Sequence, residues 1–262
     1  MPIDREEYWN NNYLNYWKER VDEANVNSSN KSTVIDGDTT TSTDELYKYA
    51  ISLLNIRKTD QVLEIACGFG RALSTLCDLA KHVTATDISK EMITVAKKEN
   101  NIENISFYTS PSESMPFDDN VYNSIICFAA FDAMYQEETL IEMNRVCKLG
   151  GKVLITGKND NYFDDDKLAL DAEIGARNKN HPNYFTDVKK LVNSINDFGF
   201  LISLEEYHLK RGDFVNNKAL LNLPEKFYEY LFVLTKISTA SVDKEFSISN
   251  KYSKCFRNKK EI

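Results

Sequence analysis

Apolar residues arrive along the middle of this chain in short runs at regular intervals. QVLEIA (61–66), HVTATD (82–87), ISFYTS (105–110), SIICFAA (124–130) and VLITG (153–157) each have the length of a strand. Between them, residues 71–80, 89–99 and 137–147 carry apolar positions at helical spacing, and Leu149-Gly-Gly-Lys152 predicts a turn. Strands alternating with helices of about ten residues predict βαβ units and a parallel sheet. Upstream, Ser42-Thr-Asp-Glu45 has capping-box spacing and opens a helix over 43–55. Residues 4–25 read as a helix crowded with Tyr8, Trp9, Tyr13, Tyr16 and Trp17, and the polar stretch 26–41 as a loop. Past Gly157 the rhythm breaks. Residues 158–185 are polar and acidic, an insertion or lid with one helix near 166–176. A helix over 186–198 and two strands, 200–210 and 227–237, finish the pattern without a βα alternation, which predicts an antiparallel ending. Residues 240–262 read as a polar tail.

The chain has 262 residues, a net charge of −8 and 42% hydrophobic residues, a globular composition of one large α/β domain with appendages. The acidic balance disfavours a nucleic-acid or anionic-membrane partner. Cys67, Cys77, Cys127, Cys147 and Cys255 form no CxxC pair, so the expectation is a reduced, cytoplasmic setting without structural zinc. The charged N-terminus reads as no signal peptide, and no apolar run approaches a membrane span.

Candidate chemistry concentrates at Gly68-Phe-Gly70, directly after a strand. The third glycine of a dinucleotide fingerprint is absent, and no Gly-Lys-Ser/Thr follows to make a Walker loop. Glu64 lies four residues before Gly68, where an acid suits a cationic ligand better than a pyrophosphate. Asp87, at the tip of the second strand, is placed to accept two ribose hydroxyls.

Four stretches in order, VLEIACGFGRA (62–72), VTATDISKEMI (83–93), SESMPFDDNVYNSIICFAA (112–130) and EMNRVCKLGGKVLITG (142–157), resemble the successive motifs of class I S-adenosylmethionine-dependent methyltransferases. The resemblance spans about residues 43–160. It implies a Rossmann-like, seven-stranded, mostly parallel sheet with helices on both faces and its last strand antiparallel. Within that frame the N-terminal helical lid and loop would cover 1–42, the domain 43–239 and the tail 240–262. It implies S-adenosylmethionine as cofactor and S-adenosylhomocysteine as product. Ala66, Cys67, Gly68 and Gly70 would lie under the methionine and ribose, with Glu64 favouring the amino group. Asp87 would take the ribose, and Ile88 and Met92 would sandwich the adenine. Ser112, Glu113 and Ser114 would meet the adenine edge, and Phe128 the sulfonium side. Pro111 stands where the family often carries an adenine-reading Asp.

For the acceptor, Asp132 falls where relatives often carry a histidine near the transferred methyl, which marks it as a base or acceptor anchor, and His181 is a second candidate. No spacing compels a metal. The segment LPEKFYEYLFVLTK (223–236) and the insertion are similar to methyltransferases of bacterial surface-polysaccharide pathways, which implies a sugar or activated sugar methylated at oxygen or nitrogen. The alternatives are an amine or carboxylate metabolite, or a scaffold that binds the cofactor without turnover. A monomer or homodimer is expected.

Overall fold

The computed structural model describes residues 5–13, 34–35, 38–39, 43–178, 181–182, 184–214, 218–242 and 249–250. Seven strands form one sheet: β1 (Gln61–Ile65), β2 (His82–Asp87), β3 (Ile105–Thr109), β4 (Tyr122–Cys127), β5 (Cys147–Lys158), β6 (Phe200–His208) and β7 (Glu229–Lys236). Their order is β3-β2-β1-β4-β5-β7-β6. The first five pair in parallel, and β7 runs antiparallel between β5 and β6. The expected reversed last strand is therefore present, wedged one place in from the edge. Because β1 to β5 and β6 all run in one direction, with only β7 reversed, their carboxyl ends lie along one rim. Ligands of open α/β sheets bind along such a rim.

Alternation along the strands divides the core into two layers. Leu63, Ile65, Ile125, Val153, Ile155, Phe232 and Leu234 face helices α4 (Gln136–Val146) and α6 (Val188–Ser194). Val62, Ile126, Leu154, Leu231 and Val233 face α1 (Thr43–Ser52), α2 (Leu73–Leu79) and α3 (Lys90–Glu99). Both faces are covered, as the near-continuous apolar runs of β1 and β4 require.

Departures from the sequence expectations have local causes. The turn at 149–152 lies inside β5: Tyr122 pairs Cys147 while Ser124 pairs Lys152, so the intervening residues bulge out. Gly150 has φ +75°, and a Cβ on Gly151 would lie 2.8 Å from the Lys148 carbonyl oxygen. Within the expected loop 26–41, Val34–Ile35 pairs Asp38–Thr39. The expected helix over 186–198 begins only at Val188, because Phe185–Thr186 is extended and pairs Ser249–Asn250 of the tail. The expected N-terminal helix is α-helical over Arg5–Glu7 and π-helical over Tyr8–Tyr13, with Tyr16 and Trp17 outside the described residues. Cys255 also lies outside them. The insertion carries α5 (Lys167–Asn178), close to the expected 166–176.

Candidate active site

The rim is sharpest where β1 ends. Ala66 turns left-handed at φ +56°, and Gly68 and Gly70 follow at +53° and +82°. The turn is closed by Cys67 N–H to the Thr86 carbonyl at 2.9 Å and Gly70 N–H to the Cys67 carbonyl at 2.8 Å. The two glycines are needed for different reasons. A Cβ on Gly70 would lie 2.5 Å from Leu73 Cδ1 and 2.6 Å from Asn100 Nδ2, so this glycine serves packing. Around Gly68 a Cβ would meet nothing within 4 Å, so this glycine leaves the backbone open to a ligand.

Asp87 closes the turn from the neighbouring strand. Its Oδ2 accepts from Gly68 N–H at 3.0 Å and its Oδ1 from Ser89 N–H at 2.8 Å. Each oxygen keeps a lone pair for a ligand hydroxyl. Burial pushes the Asp87 carboxyl up to about 6, against the pull of those two N–H groups. Glu64, one strand over, is buried with Oε2 unpartnered, and burial, aided by the Asp87 charge, pushes it up to about 8. An orphaned carboxyl beside an open glycine and a ribose-ready aspartate fits a nucleoside ligand that also carries a cation. The thiol of Cys67 is pushed well up by burial and by both carboxylates, which excludes a thiolate nucleophile there.

Other expected residues take varied positions. Ser89 caps α3 by accepting from Met92 N–H at 3.1 Å, leaving Met92 buried and Ile88 half-buried beside Asp87. Ser110 N–H ties the next loop to the Asp87 carbonyl. Within that loop the Ser112 hydroxyl meets Thr139 on α4 at 2.9 Å. Glu113 Oε1 accepts from Tyr135 N–H at 3.0 Å and pairs with Arg5 at 2.7 Å. Those two side chains therefore shape the loop, while Ser114 is exposed. Phe128 packs against Tyr47 at 4.3 Å and Phe214 at 5.9 Å between ring centroids.

Of the two acceptor candidates, Asp132 is buried and ion-paired with Lys158 Nζ at 2.7 Å. Burial would lower Lys158, but the Asp132 carboxylate outweighs it and holds the ammonium charged. His181 lies elsewhere on the rim, with Nδ1 3.0 Å from the Tyr8 hydroxyl and its ring 5.1 Å from Trp9. The N-terminal segment thus crosses the site. Arg5 stacks on Tyr135 at 3.8 Å, and Asn10 Oδ1 accepts from the Ser89 hydroxyl at 2.8 Å.

Sequence reasoning missed Lys158, Asn10 and Ala129. Ala129 is left-handed at φ +54° just after β4, its N–H held by Thr156 Oγ1 at 2.7 Å. It mirrors Ala66 on the adjacent strand, and such strained non-glycine positions cluster at functional sites. No sequence signal marks an alanine for this conformation. Among the described residues, no group of three or more His, Cys, Asp or Glu could hold a metal, and no helix is long and apolar enough to cross a membrane.

Residues 63–155 match a family model described as a methyltransferase domain. A ubiquinone/menaquinone biosynthesis C-methyltransferase UbiE of Francisella tularensis subsp. novicida is 31% identical over 116 residues, covering 41% of this chain and 46% of that protein. An uncharacterized methyltransferase, YcgJ of Bacillus subtilis, is 29% identical over 133 residues, covering 49% and 51%. The chain therefore spans about half the length of the curated relatives it matches. The YcgJ crystal structure superposes with a TM-score of 0.56 at 17% identity, covering 74% of this chain and 99% of that one. Geranyl diphosphate C-methyltransferase of Streptomyces coelicolor, solved with Mg2+, geranyl diphosphate and S-adenosylhomocysteine, superposes at 0.59 with 11% identity, covering 74% and 79%. Both share the fold.

Proposed function

We propose that this chain, of which residues 63–155 match a methyltransferase domain, is a class I S-adenosylmethionine-dependent methyltransferase that transfers a methyl group from that cofactor to a small-molecule acceptor. The observation that carries the proposal is the pairing of an open left-handed Gly68 with the Asp87 carboxylate at 3.0 Å, beside an unpartnered Glu64. When bound, the cofactor supplies a methyl carbon activated by a sulfonium, for in-line attack by a nucleophile.

The chain's own residues bind, orient and shield. Asp87 accepts ribose hydroxyls with its remaining lone pairs, and Gly68 lets the backbone approach. Glu64, once deprotonated, faces the cationic amino group. Ile88 and Met92 line the adenine side, and the turn 112–114 offers its backbone there. Asn10 and Arg5 draw the N-terminal segment across the rim and exclude water. Asp132, oriented by Lys158, is the acceptor anchor. His181, held by Tyr8 and Trp9, joins the N-terminal segment to the insertion, and we assign it to closure rather than to proton transfer.

The saccharide acceptor expected from residues 223–236 draws no support from the matched relatives, one of which is named a C-methyltransferase of quinone biosynthesis. The reading therefore extends only to a small molecule methylated at carbon, nitrogen or oxygen. Calorimetric titration with S-adenosylmethionine and S-adenosylhomocysteine, with NADH as control, tests the reading. Micromolar binding of the first two and none of NADH is expected. Binding of neither would overturn it.

A further inference from the structure

We propose that the Glu206–His208 pair on β6 is a subsite for an ammonium group of the acceptor, so that the acceptor is an amine-bearing small molecule; this deepens the methyltransferase reading and rests on it. Glu206 and His208 are both buried, at 5% and 1% exposure. Glu206 Oε1 accepts from the Tyr49 hydroxyl of α1, whereas Oε2 has no hydrogen-bond partner. Neither ring nitrogen of His208 makes a hydrogen bond of ordinary geometry. Glu206 Oε2 and His208 Nε2 thus face each other unmet, 4.0 Å apart. Buried polar atoms in folded proteins are almost always paired, so two facing each other call for a missing group.

The imidazole is not the missing cation. Burial holds His208 down at about 4, despite the Lys218 main chain and the Asp213 charge, so it is neutral at physiological pH. Among the described residues no lysine or arginine pairs with Glu206. A nitrogen that donates to both Oε2 and Nε2 would meet both unmet acceptors.

The subsite is continuous with the rim. Register sets Lys158, Glu229 and His208 side by side across β5, β7 and β6, on the face that α1 covers. Phe214 packs on His208 at 4.6 Å and on Phe128 at 5.9 Å, and Phe128 on Tyr47 at 4.3 Å. Aromatic rings beside a carboxylate are the surroundings in which proteins recognise ammonium groups. Two ring contacts separate His208 from Phe128, so the subsite anchors a part of the acceptor remote from the transferred methyl.

The test uses ethanolamine, with ethylene glycol as its uncharged counterpart, on the full chain saturated with S-adenosylhomocysteine. The chain has three histidines, so the ring nitrogen resonances of His208 are assigned by comparison with His208→Asn. A saturable shift of the His208 signals by ethanolamine and not by ethylene glycol is expected. Glu206→Gln should weaken that response at least tenfold while S-adenosylhomocysteine affinity stays unchanged. An unmoved His208 signal, equal shifts by both compounds, or an undiminished response in Glu206→Gln would overturn the subsite. If Glu206→Gln loses cofactor binding, the two-compound comparison on the wild-type chain decides alone. Loss of S-adenosylhomocysteine binding by the wild type would instead remove the methyltransferase reading.

Discussion

Glu64 and Asp87 carry opposite duties at one turn. Asp87 is fed by two backbone N–H groups and keeps lone pairs for a ligand, whereas Glu64 is buried without a donor at Oε2. Replacing Asp87 with Ala removes charge-assisted hydrogen bonds and should weaken S-adenosylhomocysteine by about 1–3 kcal/mol in calorimetry. Unchanged affinity would remove Asp87 from the site. For Glu64 the sign follows from its displacement to about 8 from an ordinary 4.5. Between those pH values the folded state holds a proton that the unfolded chain has lost, so stability falls as pH rises through the window. Glu64→Gln escapes that loss and should melt higher than wild type at pH 9 but not at pH 5. A cationic ligand favours the ionised carboxyl, so cofactor binding at pH 7 should release a proton in wild type and none through this site in Glu64→Gln. Calorimetry in two buffers of different ionisation enthalpy reads that difference. At Asp132, substitution by Asn breaks the Lys158 ion pair. Turnover should fall while S-adenosylhomocysteine affinity holds; full turnover would remove Asp132 from the acceptor side.

At the scale of elements, the N-terminal segment links parts of the chain that are far apart in sequence. Arg5 reaches Glu113, Asn10 reaches Ser89, and Tyr8 reaches His181. Few of these contacts are apolar core contacts, so the segment is a cover rather than a support. Deleting residues 1–13 should leave the melting temperature of the ligand-free chain nearly unchanged and speed S-adenosylhomocysteine release, measured by stopped-flow displacement. Unchanged release would make the segment a bystander. The strand–turn–helix–strand run from β1 to β2 was legible from alternation and glycine spacing because both signals are local. The destinations of Ser112, Glu113 and His181 were not, because each is decided by a partner on another element: Thr139, Arg5 and Tyr8.

Over the whole molecule, the strand that comes last in the chain within the seven-stranded sheet is among the most buried. Leu231, Phe232, Val233 and Leu234 of β7 are each 2% exposed or less, and β7 holds both β5 and β6. Burying each such side chain contributes about 1.5–3 kcal/mol, so the four together rival the entire net stability of a domain. A chain ending at residue 226 should show no cooperative thermal transition, and a native-like transition would contradict the role given to β7. By itself the sequence determined what depends on neighbours along the chain. The α/β alternation, the glycine turn after β1, the acid at the tip of β2 and the family resemblance all rest on local periodicity and spacing. Tertiary structure alone decided which side chains meet across strands. Asp132 with Lys158, the left-handed Ala129 beside Ala66, and Glu206 with His208 and Tyr49 belong to that class. Asp132 and Lys158, Ala129 and Ala66, and Glu206 and Tyr49 lie far apart in sequence, so their meeting depends on sheet order and register.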